Sequence, residues 1–179
     1  MVRKVLGVLL LAWASLGLHA GSDWKAQWIN ADRCQSATNT WLVYRKNVTI
    51  GEVPERLVAR IAADTKYWLW VNGRLAVFEG GLKRGPSPDG TYYDPVDIAP
   101  YLVEGENTIA VLLWHFGKSG FSHVNSGLAA LLFEAVAPGI EILSDGSWQC
   151  DLYDAYQNTE AAFPNYRLPE SNIRFDARL

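Results

Sequence analysis

Short stretches rich in aromatic and β-branched residues follow one another along the chain, and turn residues separate them. In 56–63, Leu57, Ala59 and Ile61 alternate with Val58 and Arg60, which is the period of two that is typical of a strand. The same reasoning predicts further strands at 41–50, 66–71, 74–78, 108–116, 128–136, 141–143 and 147–151.

The segments between these strands contain turn signals rather than helices. Asn72-Gly73 separates two of the predicted strands, and because both residues tolerate positive φ, the pair predicts a tight hairpin. The segment 96–103 contains Pro100 and predicts one short helical turn. Short strands about ten residues apart predict an all-β fold: a jelly-roll β-sandwich of the galactose-binding-domain-like kind, with short helical turns only.

Composition narrows the class of protein. The chain has 179 residues, of which 20% are charged and 12% aromatic, so it can bury far more apolar surface than a disordered chain. The net charge is -3 and the basic residues form no block, so we expect no nucleic-acid partner.

The first residues have the pattern of a secretory signal peptide. Arg3 and Lys4 precede the apolar run 5–12, which is shorter than the roughly 20 residues that a membrane span needs. We expect cleavage after Ala20, with Ala14 as the other possible site, and a buried N-terminal helix as the alternative interpretation. The predicted domains are therefore a signal peptide at 1–20 and one β-sandwich module at 21–179, with no membrane attachment after cleavage.

Cys34 and Cys150 are the only cysteines, and export would place both in an oxidising compartment. They are candidates for a disulfide that closes a long loop. Two separate thiols are the alternative.

Motifs for autonomous catalysis are missing from the sequence, which has neither a G-x-S-x-G elbow nor a phosphate-binding loop. His115 and His123 could approach each other and bind a metal with Asp89 or Asp94, but no third ligand lies at a sequence spacing that is typical of a metal site. We therefore expect no metal, no cofactor and no catalytic residue. Asp97 fits a structural role as the cap of the helical turn after it.

The aromatic residues suggest carbohydrate binding instead, because indole rings stack on the C–H faces of sugars. One strand ends directly in a Gly/Ser-rich loop, and an exposed aromatic ringed by polar groups at a loop mouth is a common form of binding site. The candidates for carbohydrate binding are Trp114, His115, Phe116, Lys118, His123 and Asn125. Packing at a domain interface is the competing interpretation, and Trp68 and Trp70 fit a sandwich core better than a binding surface.

Several motifs, in order, resemble the N-terminal β-sandwich module of bacterial α-L-rhamnosidase-type glycoside hydrolases. The segment 24–29 (WKAQWI) is similar to the entry motif of these enzymes, and 67–74 (YWLWVNGR) to their aromatic strand followed by Asn-Gly. The stretch 92–107 resembles the most recognisable part of the family, while 116–127 and 168–178 resemble one branch of it.

The resemblance implies a non-catalytic accessory module of an exported enzyme, in the periplasm or outside a bacterial cell. In this family, catalysis belongs to a downstream (α/α) barrel, which would be the main partner, and this chain would be a fragment truncated at its C-terminal end. Contact with rhamnose-containing glycans is a further expectation. The alternative is an autonomous, lectin-like carbohydrate-binding protein.

Overall fold

Two antiparallel sheets make up most of the part of the chain that the structure, a computed structural model, describes: residues 24–32, 34–82, 92–120, 123–159 and 173–179. The strands are β1 (Thr40–Ile50), β2 (Val58–Ala63), β3 (Lys66–Val71), β4 (Arg74–Gly81), β5 (Asp94–Asp97), β6 (Gly105–His115), β7 (Leu131–Ala137), β8 (Ile140–Leu143), β9 (Gln149–Leu152), β10 (Tyr156–Asn158) and β11 (Ile173–Phe175). A 3-10 turn at Ala99–Tyr101 is the helical turn predicted around Pro100.

The five-stranded sheet has the order β4-β3-β6-β1-β9, and the four-stranded sheet has the order β5-β2-β7-β8. Their inner faces share one hydrophobic core, to which β3 contributes Leu69, β6 Val111 and β7 Phe133. Every pairing between neighbouring strands in these sheets is antiparallel. The predicted all-β sandwich is confirmed.

The predicted Asn-Gly hairpin joins β3 to β4. Asn72 and Gly73 have φ values of 51° and 74°, as a tight hairpin of this kind requires. The Asn72 side chain donates to the Tyr101 carbonyl at 3.0 Å and to Asn107 Oδ1 at 2.7 Å. Asn107 is itself buried and donates to the Val103 carbonyl at 2.7 Å, so two segments of the sequence resemblance are tied together here.

The N-terminal segment is fixed to the outer face of the four-stranded sheet. The buried carboxylate of Glu134, in β7, accepts hydrogen bonds from the backbone N–H groups of Lys25, at 2.6 Å, and Ala26, at 3.0 Å. Glu134 also pairs with Arg60, whose guanidinium lies 4.1 Å from the centre of the Trp24 ring. These contacts give the first motif of the resemblance a structural role.

Three strands differ from the sequence prediction. β5 contains Pro95, which weakens the sequence signal for a strand, but Pro95 is accommodated because β5 is an edge strand. β10 and β11 have three residues each, too few to show a period. The predicted signal peptide, residues 1–20, lies outside the described residues.

We predict that Gly80→Ala destabilises the protein by about 1–3 kcal/mol. A Cβ atom at Gly80 would lie 2.4 Å from the Tyr67 ring. That ring cannot move aside easily, because it is fully buried and its hydroxyl donates to Asp94 at 3.0 Å. The measurement is the free energy of unfolding from urea denaturation.

Gly51→Ala is the matched control, because nothing lies within 4 Å of a Cβ atom there. Its effect should stay within about 0.5 kcal/mol. Equal losses of stability in the two variants would contradict the steric argument.

Candidate functional site

A buried polar cluster joins the β2–β3 turn to the loop after β6. Asp64 Oδ2 accepts from the Ser126 backbone N–H at 2.7 Å, and Asp64 Oδ1 accepts from the Thr65 hydroxyl at 2.6 Å. His115 Nδ1 and His123 Nε2 lie 3.5 Å and 3.4 Å from Asp64 Oδ1. The structure therefore brings the two predicted histidines together, as expected, around a carboxylate that the sequence analysis did not select.

The electrostatics of this cluster favour the ionised form of Asp64. Burial by itself would raise the pKa of the Asp64 carboxyl, but hydrogen bonds from His115, Ser126 and Thr65 outweigh burial. Together they hold that pKa well below its usual range. Asp64 is thus a fixed acceptor for the loop and not a proton donor.

The predicted exposure of Trp114 at a loop mouth is wrong. Trp114 is 4% exposed, because its ring stacks on Trp41 with centroids 4.6 Å apart. Phe116, His115 and His123 are also buried. The burial of these four candidates leaves them little surface for a ligand to contact.

Lys118 and Asn125 are the carbohydrate-binding candidates that remain partly exposed. Asn125 is held within its own loop: its backbone N–H donates to Ser119 Oγ at 3.2 Å, and its Oδ1 accepts from the Gly127 N–H at 3.0 Å. A binding role for the group of candidates stays a prediction.

The positions of the carboxylates argue against the alternative in which the two histidines bind a metal ion. Asp94 does not join the histidines; its Oδ2 accepts from the Tyr67 hydroxyl at 3.0 Å and from the Gly81 N–H at 2.8 Å. Asp89 lies outside the described residues. Within the described ranges, no group of three His, Cys, Asp or Glu side chains could hold a metal ion.

The outer face of the five-stranded sheet carries a second hydrophobic cluster, built on Trp41, Trp114 and Phe116. Tyr156, in β10, stacks on Trp41 with centroids 3.9 Å apart, and Ile173, in β11, packs on the same cluster. The β10–β11 hairpin therefore covers this half of the face. This hairpin was not predictable from the sequence, because both of its strands are so short.

The other half of this outer face is open in the described part of the chain. Trp68 and Trp70 alternate with the core residues Leu69 and Val71, so both indoles point outward, where they are half-buried. Trp68 borders the covered half, because its ring stacks on Trp41 with centroids 5.7 Å apart. Phe78, which meets Trp68 edge-on, is 71% exposed. The prediction that these two tryptophans belong to the sandwich core is wrong, because Tyr67, Leu69 and Val71 fill the inner positions.

Both cysteines are free thiols in the structure. Cys150 is buried in the core and Cys34 is half-buried against it. Burial raises the pKa of the Cys150 thiol, and the nearby Cys34 thiol raises it further. A Cys34–Cys150 disulfide in an oxidising compartment stays a prediction.

Comparison with known proteins identifies similar solved structures. A GH78 family rhamnosidase of Bacillus sp. GL1 matches 88% of this chain with a TM-score of 0.76 and 29% identity. The solved structures that this chain resembles include α-L-rhamnosidases. The resemblance expected from the sequence is confirmed, and the chain spans 16% of the Bacillus rhamnosidase.

Two more distant rhamnosidases share the fold. The α-L-rhamnosidase of Streptomyces avermitilis, solved with L-rhamnose, matches 72% of this chain at 20% identity with a TM-score of 0.54. The α-L-rhamnosidase of Dictyoglumus thermophilum matches 82% at 20% identity with a TM-score of 0.53. This chain covers 12% and 20% of those two rhamnosidases. Neither the protein-family models nor the curated proteins compared with the chain match it.

We predict that Asp64→Asn lowers the free energy of unfolding at neutral pH by about 1–3 kcal/mol, because a buried acceptor of several hydrogen bonds loses its charge. The pKa of Asp64 is lower in the folded protein than in the unfolded chain, where it is about 3.9. Its contribution is therefore complete above that pH and is lost as the pH falls through the folded pKa. Urea denaturation at neutral and acid pH measures both effects.

The loss caused by Asp64→Asn should shrink below about pH 4. Glu52→Gln, at an exposed carboxylate in the turn after β1, is the control and should change stability by no more than about 0.5 kcal/mol. A loss that is the same at every pH would contradict the ionised-acceptor role of Asp64.

We predict that iodoacetamide labels Cys34 faster than Cys150 in the native, reduced protein, because the thiolate is the reactive form and burial disfavours it at Cys150. Mass spectrometry of the two cysteine peptides after partial labelling measures the ratio. In denaturant the two rates should converge. Native labelling of Cys150 at the rate of Cys34 would contradict the burial of Cys150.

Proposed function

We propose that this chain is a non-catalytic accessory β-sandwich module of an α-L-rhamnosidase-like glycoside hydrolase. The observation that carries the proposal is the match to the Bacillus rhamnosidase, which covers 88% of this chain but 16% of that enzyme. A module of a larger enzyme is expected to give this result: nearly all of its own fold matches, but only a small part of the enzyme is covered. The rest of such an enzyme is far larger than this sandwich and can hold the catalytic machinery.

The carboxylates of the sandwich support a structural rather than a catalytic role. Glycoside hydrolysis needs two facing carboxyl groups, one of them with a raised pKa so that it can donate a proton. In the described part of the chain, the carboxyl groups with shifted pKa values are Asp64, Glu134, Asp145 and Asp176, and every one of these pKa values is lowered. Hydrogen bonds from backbone N–H groups contribute to each shift. Groups of this kind accept hydrogen bonds and do not act as general acids.

In this proposal the partner is a catalytic (α/α) barrel domain, and the enzyme is exported to the periplasm or beyond. The support for export is the signal-peptide pattern of residues 1–20. No helix among the described residues has both the length and the hydropathy that crossing a bilayer requires. The glycans of such an enzyme would contain rhamnose.

A second candidate function is an autonomous carbohydrate-binding protein. The observation in its favour is the open half of the outer face, where Trp70 is half-buried and Phe78 is exposed. The two candidates differ in solution behaviour. An accessory module isolated from its barrel exposes an apolar interface and associates, whereas an autonomous binder stays monomeric.

We predict that the purified chain releases no rhamnose from an aryl α-L-rhamnoside, and that it can replace its counterpart in the Bacillus enzyme. Three proteins are compared: the intact enzyme, the enzyme without the matched segment, and a chimaera that carries this chain in its place. We expect the deletion to abolish soluble, active enzyme, because it exposes the apolar surface that the module covers. The chimaera should recover both solubility and activity.

Aryl-rhamnoside hydrolysis and gel filtration are the measurements. Rhamnose release by the isolated chain would overturn the non-catalytic assignment. A chimaera as insoluble and inactive as the deletion would overturn the accessory role, and would leave the autonomous binder as the better candidate.

A further inference from the structure

One cross-strand row on the open outer face differs from its neighbours in having a small residue at its centre. The row runs from the edge strand β4 across β3, β6 and β1 to β9, through the four pairings between these strands. Its members are Leu75, Trp70, Ala110, Arg45 and Gln149. In each strand, a residue next to the member of this row faces the core or its rim. Because side chains alternate between the two faces of a strand, the five side chains of the row lie on the outer face.

At the centre of this row a small residue lies between two long ones, and we call this stretch, from Trp70 to Arg45, the trough. Trp70 and Arg45 lie on either side of Ala110, two strand spacings or about 10 Å apart. In the next row the corresponding place between Trp68 and Val43 is filled by Leu112. Ala110 has only a methyl group at that place, so its own side chain does not fill the gap between an indole on one strand and a guanidinium on the other.

The two ends of the trough are chemically different. On one side Leu112 packs against the aromatic cluster that the β10–β11 hairpin covers. On the other side the Thr108 hydroxyl donates to Asn47 Oδ1 at 3.0 Å, and these two side chains form a polar border. The trough therefore has apolar side chains at one end and hydrogen-bonding side chains at the other.

Arg45 contributes donors that no group among the described residues uses. Its side chain is exposed and makes no hydrogen bond or ion pair there. A guanidinium presents five N–H donors in a planar fork, which suits a ligand rich in oxygen acceptors. An indole face on the opposite wall suits a ligand with a flat apolar side.

We propose that this trough binds one pyranose ring of a glycan, with a C–H face of the sugar on Trp70 and its hydroxyl groups toward Arg45 and Gln149. A pyranoside has both features that the walls require, an apolar C–H face and a rim of oxygen acceptors. The inference rests on the proposed function, since it gives the module a substrate-holding site within a glycoside hydrolase. None of the residues selected from the sequence for carbohydrate binding belongs to it.

The experiment titrates the full chain with methyl α-L-rhamnopyranoside, methyl β-D-galactopyranoside and methyl β-D-glucopyranoside, followed by saturation-transfer NMR and calorimetry. Binding of at least one of these pyranosides is expected. Trp70→Ala should weaken it about tenfold or more, since the stacking wall is removed. Arg45→Gln should weaken it about threefold or more, because the charged donor is replaced by a neutral one.

Two controls separate the site from general effects of substitution. Trp28→Ala removes a tryptophan that is 43% exposed outside this sheet, and Arg56→Gln removes an exposed arginine between the strands; both should bind as the parent does. Ala110→Leu fills the trough without deleting any contact, and it should abolish binding while the thermal unfolding midpoint stays close to that of the parent.

The outcomes distinguish this inference from the proposed function. Glycan binding that survives both Trp70→Ala and Ala110→Leu overturns the trough as the site. If none of the three pyranosides binds and the chimaera is active, the inference is overturned and the accessory role stands. Loss of binding in Trp70→Ala and Ala110→Leu, with Trp28→Ala unaffected, supports the trough.

Discussion

The structure depends on one constraint: the five-stranded sheet carries large apolar side chains on both faces, so packing on one face alone cannot bury them. β3 shows this most directly, because Tyr67, Leu69 and Val71 enter the core while Trp68 and Trp70 stand on the opposite side. The four-stranded sheet covers the inner face. On the outer face the β10–β11 hairpin covers one half, where Tyr156 stacks on Trp41. Burying large aromatic rings in this way supplies much of the driving force for folding.

Carboxylates fix several of the loops and turns around this sandwich. Asp64 accepts the Ser126 N–H, Glu134 the Lys25 and Ala26 N–H groups, and Asp97 the Leu57 and Ala99 N–H groups, at 3.0 Å and 3.2 Å in the last case. A backbone N–H that is buried without a partner is costly, and an ionised acceptor forms the stronger hydrogen bonds. Several acidic residues that a search for catalytic groups would select therefore belong to the fold.

Much of the fold could be predicted from the sequence, since the period of two and the Asn72-Gly73 turn are local signals. The structural role of Asp97 was predictable for the same reason, since Asp97 Oδ1 accepts the Ala99 N–H, but the N-cap position itself is occupied by Ile98 and not by Asp97. The cluster around Asp64 was not, because its partner Ser126 is 62 residues away and only the folded chain brings the two together. The alternation of side chains along β3 does place Trp68 and Trp70 on the same face. Because β3 is apolar on both faces, however, the pattern does not predict which face points to the core.

The open half of the outer face contains two different kinds of surface. Near the centre of the sheet, the row through Ala110 mixes one indole with unused donors, and a surface of that kind suits a small polar ligand. At the edge, β4 presents Phe78 and Leu75, with 71% and 45% of their surface exposed. An exposed edge strand with apolar side chains is prone to unwanted pairing unless something covers it. A domain docked along β4 would cover that edge, including Leu75 at the end of the row, and would still leave the trough between Trp70 and Arg45 open. Docking to a barrel and holding a glycan would then use different residues of the same sheet. The accessory role and the glycan site are therefore compatible in one module.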